Sequence, residues 1–343
     1  MSRLVARKGG FRGWIAPARR GFAAVLMLTG LLLAGCAPSE EPPLRVATIE
    51  WIGYQPLNIA HSLGALAPGE IRVARFASNT ESLRAFRNRS VDVAALTLDE
   101  ALLLRADGHD IRVILLMDYS HGADTILARP GIDTLADLAG HRIGVENSAA
   151  TAYLLARGLE HAGLDTDAVE VVRVDAGRHA EAFRQGEVDA LATFEPIRTR
   201  LLQDGAVELF DSTRIPGEIV DVLVAHRDAL DLHRTHLSEL VAAWFRALDH
   251  LEHEPDHARA VLADQTGLPL DALDLALGGV QFPSLAENCK ALANDGQALH
   301  ASARELVALM RENRLLPRPV TLDELFDDQV VRAVGCPDHP TGT

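Results

Sequence analysis

Sliding the chain against itself by 97 positions lays Arg45-Val46 on Arg142-Ile143, Phe86-Arg87 on Phe183-Arg184, Val91-Asp92 on Val188-Asp189 and Ala95 on Ala192. The matched residues fall at the same places in two runs of alternating structure. Each unit opens on a β-rich run (Leu44 to Ile49; His141 to Val145) and passes through a helical stretch to a second run (Ile71 to Phe76; Val169 to Val174). A helix ending at Phe86 or Phe183 then leads to a buried third run (Val91 to Leu96; Val188 to Phe194). This is βαβαβ twice over. Right-handed crossovers make such strands parallel and gather their carboxyl ends on one edge, where ligands bind. Two such edges facing each other enclose a cleft, so the expected fold class is α/β with two lobes of βαβαβ units.

Between the units, Ile111 to Met117 and Asp124 to Ala128 read as strands, and Ile219 to Ala225 reads as a strand returning to the first unit. Two crossings imply a hinge, with lobe 1 made of 44–122 plus 222–343 and lobe 2 of 123–221. From Leu237 onward the pattern is helical: Leu237 to Leu251, Asp256 to Asp264, Leu270 to Leu277, Asn294 to Asn313 and Leu322 to Val331. Pro269, Pro283, Pro317 and Pro319 punctuate this tail.

The amino terminus speaks to compartment. Arg3, Arg7, Lys8, Arg12, Arg19 and Arg20 precede an apolar run, Gly21 to Gly35, that is too short to span a bilayer comfortably. It ends on Leu33-Ala34-Gly35-Cys36, the pattern of a bacterial lipobox. Residues 1–35 are therefore expected to be a lipoprotein signal peptide, Cys36 the site of lipid attachment, and 36–43, with its prolines, a tether. Each buried acyl methylene contributes ~0.8 kcal/mol to membrane attachment. Arg19-Arg20-Gly21-Phe22 also resembles a twin-arginine core, so export could run by either route. Both lead to the cell envelope, with the protein anchored by lipid and facing the periplasm or the exterior.

Charge narrows the partners. The formal balance falls from −15 to −21 when the first 35 residues take their six positive charges with them. So acidic a domain repels nucleic acid and anionic headgroups. In an oxidising envelope, Cys289 and Cys336 can pair or stay as two buried thiols.

Trp51-Ile52-Gly53-Tyr54-Gln55-Pro56-Leu57, directly after the first strand, resembles the corresponding loop of the nitrate/sulfonate/taurine-type solute-binding proteins of ABC importers, a group related to thiamine-precursor binders. Val91-Asp92-Val93-Ala94-Ala95-Leu96-Thr97, Asp137 to Val145 and Gly186-Glu187-Val188-Asp189-Ala190 fall where that family places them. The resemblance implies a type II periplasmic-binding fold, hinged closure around a small molecule, and delivery to a membrane permease with a cytoplasmic ATPase. A monomer with no cofactor and no catalytic activity is expected. Met117-Asp118-Tyr119-Ser120-His121-Gly122-Ala123-Asp124 is similar to a segment of members associated with urea or amide uptake.

Closure is favoured only when a ligand bridges fixed groups on both cleft walls, and loops after strands supply them. In the first lobe the candidates are Trp51 and Tyr54 as flat stacking surfaces, with Asn79, Thr97 and Asp99 as hydrogen-bonding groups; Asp118 and Ser120 lie near the crossover. In the second, Asn147 and Ser148 would start a helix, where free amides collect, and Phe194 and Glu195 close the unit. A sulfonate would call for Arg or bidentate donors. The candidate loops instead carry Asp99, Asp118, Glu195 and Glu218, which favours a cationic or N–H-rich solute, although a helix amino end can hold an anion unaided.

His253-Glu254-Pro255-Asp256-His257 matches a zinc-peptidase string, but Pro255 breaks the helical turn that this chemistry needs. His226, His233, His236 and His250 have no convincing ligand spacing, and His61, His121 and His179 are expected in loops or on the surface. Two rival readings share the fold: an enzyme of the pyrimidine- or menaquinone-precursor type, and a periplasmic sensor subunit.

Overall fold

The computed structural model describes residues 41–146, 149–293, 297–316 and 318–336. Cys36, Asn147 and Ser148 lie outside them. In the first repeat β1 (Leu44–Thr48), β2 (Ile71–Arg75) and β3 (Val93–Thr97) pair in parallel in the order β2-β1-β3, joined by crossovers carrying α1 (Pro56–Ser62) and α2 (Asn79–Arg87). Then come α3 (Leu98–Ala106) and β4 (Ile111–Ser120), and β5 (Asp124–Ala128) opens the second half. There β6 (Arg142–Val145), β7 (Glu170–Arg173) and β8 (Ala190–Phe194) pair in the order β7-β6-β8, with α4 (Ala149–His161) and α5 (His179–Gln185) between them. Next follow α6 (Ile197–Gln203) and β9 (Val207–Asp211), and β10 (Val220–His226) returns to the first sheet. With the short β11 (Val280–Gln281), the sheets read β11-β4-β10-β3-β1-β2 and β7-β6-β8-β5-β9. The molecule is the two-sheet α/β architecture that the repeat predicts.

The 97-residue offset reappears in register and in bonds. Val46 pairs with Val93, and Ile143, 97 residues on, pairs with Ala190. In the first unit Arg45 sends its backbone N–H to Asp92 Oδ2 at 2.9 Å and its guanidinium to Oδ1 at 2.6 Å. In the second, Arg142 does the same to Asp189 at 3.0 and 2.8 Å. A bidentate clamp of this kind locks the first strand to the entry of the third.

The chain passes between the sheets twice, after β4 and after β9. Serines stitch the crossings together. Ser120 and Ser212 share a hydroxyl hydrogen bond of 2.8 Å; the Gly122 N–H donates to Ser212 Oγ at 2.6 Å and the Asp124 N–H to Ser120 Oγ at 3.1 Å.

The tail packs on the first sheet as α7 (Ala229–Leu232), α8 (Arg234–His253), α9 (Pro255–Thr266), α10 (Leu270–Gly278), α11 (Leu285–Leu292), α12 (Gln297–Glu312) and α13 (Gln329–Gly335). Two features depart from the sequence reading. The helix α11 was not foreseen, although Ser284 and Glu287 cap it reciprocally, a signature legible in Ser-x-x-Glu. The expected helix over Leu322 to Val331 begins only at Gln329. Upstream, Leu325 and Asp327 bond instead to Val113 of β4, which accepts and donates at 3.0 and 2.7 Å. Pairing with a sheet and burial of Leu325 and Phe326 outweigh local helix propensity there. Cys289 and Cys336 form a disulfide joining α11 to the end of α13.

Candidate functional site

The site lies where the two sheets face each other across the crossings. β3 and β8 end on Thr97 and Phe194, which are 97 residues apart and hence equivalent in the repeat. Each is paired with an aspartate on an antiparallel strand: Thr97 with Asp221 of β10, and Phe194 with Asp124 of β5. The pocket between the lobes, which in this closed arrangement has room for little more than a water molecule, is lined by these four residues together with Ile49, Trp51, Tyr54, Asn79 and Ala150.

The turn after β1 supplies the aromatic wall. Ile52–Tyr54 forms a single 3₁₀ turn, and the Trp51 ring meets Phe194 edge-on at 5.8 Å from the other lobe. Gly53 permits this arrangement, because a Cβ there would sit 2.1 Å from Asp118 Oδ2 and 2.3 Å from the Trp51 indole nitrogen. That nitrogen donates to Asp118 at 3.3 Å, and the Tyr54 hydroxyl donates to Asp221 Oδ1. Asp118 and Asp221 are themselves register partners on β4 and β10.

Burial of so many carboxyls in one place has a protonation cost. Asp118 is pushed up to about 8 by burial, with Asp124 adding to the rise. Asp124 goes to about 7 by burial and the neighbouring Asp99 and Glu195. Burial first and repulsion from Asp118 second hold Asp221 well above the ordinary carboxylate range, and burial takes Asp99 to about 6. Like charges this close share protons rather than ionise together.

Of the residues picked from sequence, the pocket gathers Trp51, Tyr54, Asn79, Thr97 and Phe194. Asp118 sits behind Trp51, Ser120 belongs to the crossing, and Asp99 is buried in the first turn of α3. Glu195 is fully buried beside α6, accepting from the Thr199 N–H and hydroxyl at 3.1 and 2.8 Å and from Arg198 at 3.0 Å. Asp124 and Asp221 were not picked. His179, expected on the surface, is fully buried. Its ring nitrogens meet Thr193 Oγ1 at 3.0 Å and the Val174 carbonyl at 3.1 Å, behind Phe194. The zinc-peptidase string is split as Pro255 predicts, with α8 ending at His253 and α9 starting at Pro255.

Further contacts bridge the lobes. Glu146, at the end of β6, accepts from the Thr80 N–H at 2.8 Å and its hydroxyl at 3.1 Å, at the amino end of α2. Arg200 of α6 reaches Glu50 at 2.9 Å and the Thr266 carbonyl at 2.7 Å. The two halves thus meet around a small, largely apolar pocket with aromatic lips and two carboxyls.

Comparison with known proteins places this geometry among relatives. The putative aliphatic sulfonates-binding protein of Escherichia coli (strain K12) is 24% identical over 311 residues, covering 87% of this chain and 93% of that protein. The alkanesulfonate-binding protein SsuA from Xanthomonas axonopodis pv. citri, bound to MOPS, superposes with a TM-score of 0.71 at 23% identity, covering 83% of this chain and 98% of that one. The desulfurization enzyme DszB has the fold too, with a TM-score of 0.60 at 18% identity over 85% of this chain and 98% of its own. The model of the NMT1-like family matches residues 37–264, which span every strand but β11 and every residue that lines the pocket, and the chain accordingly belongs to the NMT1-like family.

Proposed function

We propose that this chain is the extracytoplasmic solute-binding component of an ABC importer, capturing a small organic, nitrogen-containing molecule by closure of two lobes and presenting it to a permease driven by a cytoplasmic ATPase. Lobe 1 is 44–122 with 222–343, and lobe 2 is 123–221. The signal peptide, residues 1–35, is removed, lipid on Cys36 holds the protein at the membrane, and 36–43 is the tether. It acts as a monomer. The observation that carries this reading is the meeting of Trp51 and Phe194, from different sheets, over a pocket walled by both. A site so divided exists only when the lobes come together, which is what couples capture to a shape that a permease can recognise.

DszB, with its similar fold, gives an enzyme reading its place. The described lining residues offer hydroxyls from Tyr54 and Thr97 but no Cys, Ser or His side chain to serve as nucleophile, which favours binding over turnover. Incubation with a metabolite extract, followed by isolation of the complex and mass spectrometry of the released molecule, separates the two. One equivalent of an unchanged solute is the expected result; release of a converted product points to the enzyme, and an empty protein contradicts both. Membrane fractionation tests the anchor: Cys36→Ser moves the protein to the soluble fraction, and continued membrane association refutes lipid attachment.

A further inference from the structure

Building on the solute-binding reading, we propose that the solute is a compact organic cation, an ammonium or amidinium, whose N–H groups are received by Asp124, Asp221 and Asn79 between the rings of Trp51, Tyr54 and Phe194. The relatives described above are named for sulfonates, so this assignment reverses the sign of the ligand charge.

The first observation is what the pocket leaves unsatisfied. Asn79 is 4% exposed, lines the pocket, and its Oδ1 has no hydrogen-bond partner. Thr97 Oγ1, which also lines the pocket, is likewise without a partner. The Asn79 carbonyl oxygen can only accept, whereas the Thr97 hydroxyl can do either. A buried acceptor left empty costs about 1–3 kcal/mol, so a ligand that brings donors gains most here.

The second is the lack of a basic side chain in the lining. The described lining residues include neither Arg nor Lys. The guanidinium groups that follow Phe194 are engaged by carboxylates, Arg198 by Glu195 and Glu208 at 3.0 and 2.6 Å and Arg200 by Glu50 at 2.9 Å. Three helix amino ends, natural anion sites elsewhere, are taken, while α4, whose Ala150 lines the pocket, is not among them. Glu146 occupies that of α2, Glu100 receives the Thr97 N–H at 3.2 Å before α3, and Glu195 receives the Thr199 N–H in α6. The protein's own carboxylates occupy those three ends.

The third is the aromatic lining. Three rings around a cavity that also holds two carboxyls fit a cation, which gains from ring faces as well as from charge. The groups facing Asp124 and Asp221 from the surrounding elements are Tyr54 from the turn after β1, Asp99 and Glu100 from α3, Asp118 from β4 and Glu195 after β8. All are acids. A cation entering among them draws protons off the cluster, whereas an anion would drive protons on.

Thermal shift and calorimetry on the full-length protein in detergent test this, using ethylamine to hexylamine, acetamidine and guanidine against matched alkanesulfonates and carboxamides. Members of the cation series are expected to raise the melting temperature and, in paired buffers of different ionisation enthalpy near neutral pH, to release protons. Asp124→Asn, with Asn79→Ala as a second variant, should weaken that binding by about tenfold or more, with the unliganded melting temperature showing that each variant is folded. A sulfonate or carboxamide that binds while no cation does overturns the charge assignment and leaves solute binding intact. If the extract experiment yields a bound solute without positive charge, the assignment also falls. If neither the panel nor the extract yields a bound molecule, the solute-binding reading itself fails.

Discussion

Asp124 and Asp221 show why the pocket was only partly legible. The rule that ligands meet the carboxyl ends of parallel strands found Thr97 and Phe194, and the loops after β1 and β2 gave Trp51, Tyr54 and Asn79. Strands β5 and β10 run the opposite way, so their first residues, not their last, reach the ligand edge. Within Ile219-Val220-Asp221-Val222-Leu223, a single carboxyl in an apolar run was the available signal. The same residues set a pH dependence. A buried acid whose pKa lies above its unfolded value of 3.8 keeps more protons in the native state, so stability is lost as pH rises through the native pKa. For Asp124 and Asp118 that window runs up to about 7 and about 8. The opposing group His179, held near 4 by burial, acts below its ordinary 6.5 and drops out of this range. The unliganded protein should therefore lose on the order of 2 kcal/mol between mildly acidic and mildly alkaline pH. Denaturant melts across that range check it; flat or rising stability would mean that these carboxyls are ionised in the native fold.

Secondary elements were easier to read than their ends. Apolar runs flanked by turn residues located the buried strands β1, β3 to β6, β8 and β10, since a buried strand leaves little room for any other composition, and the runs of the exposed edge strands β2 and β7 followed from the repeat. The Arg–Asp clamps at both repeats explain why the 97-residue match picks out Arg45, Asp92, Arg142 and Asp189. The tail was harder, because amphipathic stretches there are assigned by packing on the first sheet, as Leu325 to Asp327 show. Its fastening can be tested. The Cys289–Cys336 bond spans 47 residues of sequence, and closing a loop of that size in the unfolded chain corresponds to about 4 kcal/mol. Paired replacement by Ala should lower the urea midpoint accordingly while leaving solute affinity within about twofold, as the bond lies outside the pocket. A large loss of affinity with little loss of stability would place the tail in the binding machinery.

At the scale of the molecule, two similar sheets meet through two crossings and a handful of bridges: Trp51 against Phe194, Glu146 on Thr80, and Arg200 on Glu50. So few direct bonds, together with a small apolar seam in which Tyr153, Ala176 and Phe194 pack on the first lobe, suit a pair of lobes that part when nothing lies between them. The most direct measurement is small-angle X-ray scattering of the protein stripped of ligand by unfolding and refolding, then saturated with the solute recovered from extract. A larger radius of gyration is expected without solute, with contraction on adding it and no contraction in Trp51→Ala with Phe194→Ala. Identical radii with and without a solute that binds would contradict capture by closure.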